Sequence, residues 1–98
     1  MKKIFLSFVF VFTIFNLQNL TAKTLKDSVN SMERSSKNIA RDEFRNPLET
    51  LKFFGIESDM SVVELSPGSG WYTEILSTYL YEKGTLIAAA YDPALSDY

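Results

Sequence analysis

Two runs of apolar residues in the last third of the chain have the length of β-strands. Residues 60–65 and 85–91 show no regular polar alternation, which is typical of strands in a parallel sheet that helices cover on both faces. Between these runs, apolar residues recur at the spacing of one helical face, at Tyr72, Ile75, Leu76, Tyr79 and Leu80. Two strands joined by a crossover helix must be parallel, and such crossovers are right-handed in nearly all cases. The pattern therefore predicts one βαβ unit.

The segment before this unit, residues 23–46, is mostly polar and predicts a helix with one narrow apolar face. That face would consist of Val29, Met32, Ile39 and Phe44. Ser31 or Ser35 could cap the start of the helix. Charges of both signs crowd residues 35–45, which indicates a solvated surface.

A shorter helix is predicted to follow at Asn46-Pro47. Asparagine is a common N-cap, proline suits the first helical position, and Glu49 could bond back to the cap. Gly55 would end the helix where a left-handed backbone is needed. The apolar face, which we expect in the core, consists of Leu48, Leu51, Phe53 and Phe54.

The first residues of the chain have the pattern of a secretory signal peptide. Lys2 and Lys3 precede an uncharged apolar run over residues 4–15, which is shorter than the roughly 20 residues that span a bilayer as a helix. Cleavage after Ala22 matches the small-residue pattern only loosely, and an uncleaved anchor or a buried strand stays an alternative. We therefore expect an exported, periplasmic protein that contacts a membrane only through its leader, if the leader is uncleaved.

Composition narrows the chemistry that the chain can perform. The 98 residues include no histidine and no cysteine, which excludes imidazole bases, Cys/His zinc clusters, thiol nucleophiles and disulfides. No metal site is predicted. The formal net charge of -2 and the lack of a basic cluster argue against nucleic acid as a partner.

A glycine-containing loop, residues 66–70, lies between the first predicted strand and the helix, where open α/β sheets bind ligands. A phosphate-binding P-loop is excluded because no lysine occurs between Lys52 and Lys83. The dinucleotide fingerprint G-x-G-x-x-G is incomplete in both possible registers, because Ser66 stands at the first glycine position of one and Thr73 at the third glycine position of the other. Trp71 and Tyr72, directly after the loop, are expected to pack in the interior, although Trp71 lies close enough to the loop to line a ligand pocket.

The stretch Val62-Val63-Glu64-Leu65-Ser66-Pro67-Gly68-Ser69-Gly70 resembles the first motif of the class I S-adenosylmethionine-dependent methyltransferases, an acidic residue followed by x-G-x-G-x-G. The segments 41–56 and 70–76 are similar to the start of a group of bacterial predicted methyltransferases, many with signal peptides. Ser66 departs from the motif because it stands at the first glycine position.

The resemblance implies a set of cofactor-binding positions for S-adenosyl-L-methionine. Glu64, Ser66 and the backbone at Gly68 and Gly70 would flank the methionine and ribose portions. Asp92, at the end of the second strand, would accept hydrogen bonds from the ribose diol, since a carboxylate offers two acceptor oxygens to two adjacent hydroxyls.

The implied fold is α/β, a Rossmann-like methyltransferase fold truncated to a helical lead-in plus one βαβ unit. Residues 1–22 would be the signal peptide, residues 23–55 the helical lead-in, and residues 56–98 the incomplete start of the S-adenosylmethionine-binding domain. The methyl acceptor is unknown, and any catalytic residues are expected beyond residue 98. Residues 23–98 alone are therefore expected to show no turnover.

A second hypothesis comes from the predicted export. S-adenosylmethionine is made in the cytosol, whereas the leader predicts secretion. The alternative function is a small periplasmic binding or interaction protein that has the βαβ unit but performs no methyl transfer.

Overall fold

The computed structural model describes residues 23–92, which form a small α/β domain. Four short helices come first, namely α1 (Leu25–Val29), α2 (Ser36–Ile39), α3 (Asp42–Arg45) and α4 (Pro47–Phe53). They are followed by β1 (Ser61–Leu65), α5 (Trp71–Tyr79) and β2 (Thr85–Ala89). The predicted signal peptide lies outside the described residues.

The two strands form a parallel sheet that confirms the predicted βαβ unit. Ser61 pairs with Thr85 and Leu65 with Ala89, in one unbroken register. The carboxyl ends of both strands therefore lie at the same edge. Between residues 23 and 92, no helix is long and apolar enough to cross a membrane.

The hydrophobic core lies between α5, the helices α1 and α4, and one face of the sheet. Its buried members are Leu25, Leu51, Ile75, Leu76 and Leu80. Val62 and Leu86 pack against this cluster from the two strands. The predicted apolar face of α5 is confirmed, because three of its five residues are buried and Tyr72 and Tyr79 pack against the cluster.

Helices cover only one face of this two-stranded sheet in the part of the chain that the structure describes. Side chains alternate between the faces of a strand, so Val63 and Ile87 point away from Val62 and Leu86. Val63 is 56% exposed and Ile87 is 52% exposed. The expectation of a sheet covered on both faces is therefore not met over residues 23–92.

The prediction of one amphipathic helix over residues 23–46 is wrong. Three short helices occupy this segment, and Met32, from the predicted apolar face, is 97% exposed. The buried residues of this segment are Leu25 and the polar residues Ser28, Arg34 and Asn38. The three polar side chains donate hydrogen bonds to backbone carbonyls or to the Asp42 carboxylate, so hydrophobic spacing does not reveal which face is buried.

Helix α4 begins and ends as predicted, but its cap and its last residues differ. Pro47 is the first helical residue, and Gly55 adopts a left-handed backbone with φ of 71°. Asn46 is also left-handed and makes no side-chain capping bond, because it ends α3 while α4 begins. The prediction that Phe53 and Phe54 lie in the core is wrong: Phe53 is 87% exposed, since it lies two positions, or about 200° of helical rotation, from the buried Leu51.

Candidate functional site

The loop between β1 and α5 alternates left-handed with ordinary backbone. Ser66, Gly68 and Gly70 have φ of 54°, 57° and 83°. The amide of Ser66 donates to the carbonyl of Ala89 on β2 at 3.0 Å, and the amide of Gly70 donates to the carbonyl of Pro67 at 2.9 Å. The loop therefore joins the carboxyl end of β1 directly to the first turn of α5.

The two loop glycines are not required by crowding from the protein. A Cβ at Gly68 would meet nothing nearer than the Ser66 carbonyl oxygen at 4.0 Å, and one at Gly70 would lie 3.8 Å from Thr73. Positive φ alone therefore accounts for glycine here within the described structure. The open space beside this backbone is available to a ligand.

Glu64 is a buried carboxylate one residue before the end of β1. Its Oε2 accepts a hydrogen bond from Thr73 Oγ1 at 2.7 Å, so the strand and the first turn of α5 are joined beside the loop. Glu64 is only 9% exposed, so the rest of the protein covers most of this residue. Thr73 was recognised in the sequence only as a fingerprint position, without this contact.

Asp92 lies three residues after β2 and is exposed. Since β1 and β2 are parallel and in register, Asp92 is at the same edge as the Ser66–Gly70 loop. The structure thus brings Glu64, Ser66, Gly68 and Gly70 together through one strand end and one loop, and places Asp92 beside the neighbouring strand end.

Residues from the lead-in contact the loop directly. Asn38 Nδ2 donates to the Ser69 carbonyl at 3.2 Å, and Ser69 Oγ donates to Asn38 Oδ1 at 3.4 Å. Arg41 Nη1 donates to Ser69 Oγ at 3.3 Å. The charge-rich sequence of residues 35–45 predicted only a solvated surface, and no spacing signal identified these contacts.

A buried arginine joins the lead-in to α5. Arg34 donates two hydrogen bonds to the carboxylate of Asp42, at 2.7 and 2.9 Å, and one to the Val29 carbonyl at 2.8 Å. Asp42 Oδ1 also accepts from the indole of Trp71 at 2.9 Å. The hydrogen bonds from Arg34, followed by its positive charge, hold the pKa of Asp42 below its ordinary value against the effect of desolvation.

A second carboxylate, Glu74 in the first turn of α5, lies on the other side of Arg34. Its Oε2 is 3.9 Å from Arg34 Nε, and its carboxylate accepts from the Ser35 amide at 3.3 Å. Desolvation raises the pKa of Glu74, but hydrogen bonds from Asn38 and Ser35 and the charge of Arg34 outweigh it and lower the pKa overall.

Trp71 is buried, as predicted, at the start of α5. The guanidinium of Arg45 lies 4.1 Å from the centroid of the Trp71 ring, and the rings of Trp71 and Tyr72 meet edge to face at 4.6 Å. These contacts hold the first turn of α5, which directly follows the loop.

Two surface cavities of about 340 and 350 Å³ lie away from the loop. The first is near the end of α5 and includes Tyr79 and Lys83. The second, between α1 and the start of α4, includes Val29 and Pro47. Neither is lined by the predicted cofactor-binding residues.

Compared with protein-family models, with curated proteins and with solved structures, the chain shows no significant match to any of them. The geometry of the loop and its surroundings is therefore the basis on which a function can be proposed.

Proposed function

We propose that the chain carries part of the cofactor site of an S-adenosylmethionine-dependent methyltransferase whose acceptor is unknown. One observation carries the proposal: a buried carboxylate, Glu64, is followed by a loop with left-handed backbone at residues 66, 68 and 70, directly before α5. A loop after a parallel strand and before a helix is the usual ligand site of open α/β sheets.

The residues present fit such a cofactor in three respects. The glycine backbone is open to close approach, the Glu64 carboxylate lies beside it, and Asp92 offers a second carboxylate at the same edge. Bound S-adenosylmethionine would supply a methyl group on a sulfonium centre. The contribution of this chain would be to hold and orient that donor, because alignment of donor and acceptor accounts for much of the rate of a direct displacement.

The proposal predicts that the full chain binds S-adenosylmethionine in a calorimetric titration, in competition with S-adenosylhomocysteine. Asp92→Ala should weaken binding by about 1.5–3 kcal/mol, the contribution of a hydrogen bond to a charged group. The matched control is Asp59→Ala, because Asp59 is also exposed but precedes β1, at the opposite edge of the sheet.

The result that would refute the cofactor is a wild-type titration with no heat and no competition. Binding that is equally strong in wild type and in Asp92→Ala would refute only the assignment of Asp92 to the ribose.

A second candidate function is the exported binding or interaction protein without methyl transfer. It is favoured by the position of both cavities, which lie away from the loop. Export itself stays a proposal on the basis of residues 1–22. Localisation of the full chain to the periplasm, together with no binding of S-adenosylmethionine, would favour this second candidate.

A further inference from the structure

Ser69 is the one residue of the loop tip whose side chain and backbone are both held by another segment. It lies between Gly68 and Gly70, which have no side chains and whose φ values are positive. Two glycines would leave this tip the most mobile part of the loop. The bonds at Ser69 therefore decide how well the loop is ordered.

The residues that hold Ser69 come from outside the βαβ unit. Asn38 and Arg41 are three positions apart, and together they contact the Ser69 carbonyl and hydroxyl. Asn38 is 2% exposed, so water is not available to replace Ser69 as its partner. Breaking the hydrogen bonds between Asn38 and Ser69 would leave buried polar atoms of Asn38 without these partners, which lowers stability.

The segment that carries these two residues is itself fixed to α5. Arg34 bonds to Asp42, and Asp42 bonds to the Trp71 indole. Ser35, the N-cap of α2, donates its backbone amide to Glu74. The lead-in is thus anchored to the helix that follows the loop, on both sides of Asn38 and Arg41.

We propose that Asn38 and Arg41 are positioning residues that hold the Ser66–Gly70 loop in its ligand-ready conformation, acting through Ser69. The inference rests on the proposed function for the identity of the ligand. Residues of the lead-in, which lie outside the loop motif, would then contribute to cofactor binding. An ordered loop binds more tightly because less conformational entropy is lost on binding.

Amide hydrogen exchange of the free, full chain tests the ordering of the loop without any ligand. The Gly70 amide is bonded to the Pro67 carbonyl within the loop, whereas the Ser66 amide is bonded to Ala89 on β2. In Arg41→Ala and in Ser69→Ala, the Gly70 amide should exchange several-fold faster while the Ser66 amide keeps its rate. Both substituted residues are exposed, so the fold should survive.

Two further variants separate positioning from a general loss of structure. Lys37→Ala changes an exposed residue of α2 next to Asn38 and should leave the Gly70 exchange rate at its wild-type value. Ser69→Thr keeps the hydroxyl and should restore protection that Ser69→Ala loses. Unchanged exchange at Gly70 in both Arg41→Ala and Ser69→Ala would overturn the proposal.

Calorimetry with S-adenosylhomocysteine then tests the consequence for the ligand. Arg41→Ala and Ser69→Ala should bind roughly 3- to 10-fold more weakly than wild type, the equivalent of the net contribution of about one typical hydrogen bond. Faster exchange with unchanged affinity would overturn the role in ligand binding. If wild type itself binds nothing, the proposed function fails, and the exchange rates still decide whether Asn38 and Arg41 order the loop.

Discussion

At the scale of single residues, Ser66 is the clearest departure from its motif and the clearest source of backbone strain. A residue with a Cβ pays about 1–2 kcal/mol in the left-handed region, and Ser66 has φ of 54°. The hydrogen bond from the Ser66 amide to the Ala89 carbonyl holds Ser66 in this conformation. The neighbouring left-handed positions of the loop are glycines, which have no such cost.

We predict that Ser66→Gly raises the free energy of unfolding by about 0.5–1 kcal/mol. The relief of strain exceeds the entropy that glycine adds to the unfolded chain, which is about 0.4–1 kcal/mol. The opposite kind of substitution, Gly68→Ala at φ of 57°, should lower the free energy of unfolding by about 1 kcal/mol. Urea denaturation followed by Trp71 fluorescence measures both, and a destabilised Ser66→Gly would show that the serine side chain has a stabilising contact.

At the scale of helices and strands, the predictable parts of the fold are those where hydrophobic spacing decides burial. Helix α5 follows its apolar pattern because that face packs in the core, and the two strands lie where the apolar runs predict them, although only one face of the sheet is covered over residues 23–92. The segment between α1 and α4 does not follow its apolar pattern, since its buried residues Arg34 and Asn38 are held by hydrogen bonds. Which carboxylate or carbonyl partners them depends on the tertiary structure, and no local pattern contains that information.

The same distinction applies to the candidate site. The position of the loop, its glycines and the Glu64 carboxylate were predicted from a short segment of sequence. The contacts of Asn38 and Arg41 with Ser69 join residues 31 and 28 positions apart, and the charge-rich sequence around them suits a solvated surface equally well. Thr73 stands where the fingerprint requires a third glycine, and this mismatch does not predict its hydrogen bond to Glu64.

The link between α3 and α5 through Arg34 predicts a dependence of stability on pH. The folded pKa of Asp42 is lower than the ordinary value of 3.8, so the folded chain binds fewer protons there than the unfolded chain. This contribution is complete above the unfolded pKa and is lost as the pH falls through the folded pKa. Wild type should therefore lose stability as the pH decreases below about 5.

In Asp42→Asn, the free energy of unfolding should decrease less steeply with falling pH than it does in wild type. At pH 7 it should be lower than in wild type by roughly 2–4 kcal/mol. Removing one partner of a fully buried ion pair costs about 3–5 kcal/mol, and Asp42 retains 23% side-chain exposure while Arg34 has 1%. Urea midpoints between pH 3 and pH 7 measure both effects. Glu43→Gln, an exposed neighbour in α3, is the control, and an acid slope equal to wild type in Asp42→Asn would contradict the assignment.

At the scale of the whole molecule, the lead-in and the βαβ unit form one structure. Leu25 of α1 and Leu51 of α4 share the core with α5, and Trp71 bonds to Asp42 of α3. The lead-in is thus part of the core that supports the sheet. A chain of this size buries a limited share of its surface, so losing either part should unfold the other.

We accordingly predict one cooperative unfolding transition. Trp71, the only tryptophan of the chain, reports the boundary between lead-in and α5, whereas far-ultraviolet circular dichroism reports all the helices and strands. The urea midpoints from the two signals should coincide, as two-state unfolding requires. A fluorescence transition that precedes the circular dichroism transition would show that the lead-in detaches first.

The register of the sheet also sets the order of events when the chain folds. Since Ser61 pairs with Thr85 and each later pair advances by one residue on both strands, every pair joins residues 24 positions apart. The pairing of β1 with β2 is therefore non-local, and no short hairpin joins these two strands. Because α5 shortens the connection to about 1.5 Å per residue over its length, its formation brings the strands within reach. Substitutions in the core face of α5 should thus slow folding as well as lower stability, whereas those in the lead-in should mainly speed unfolding.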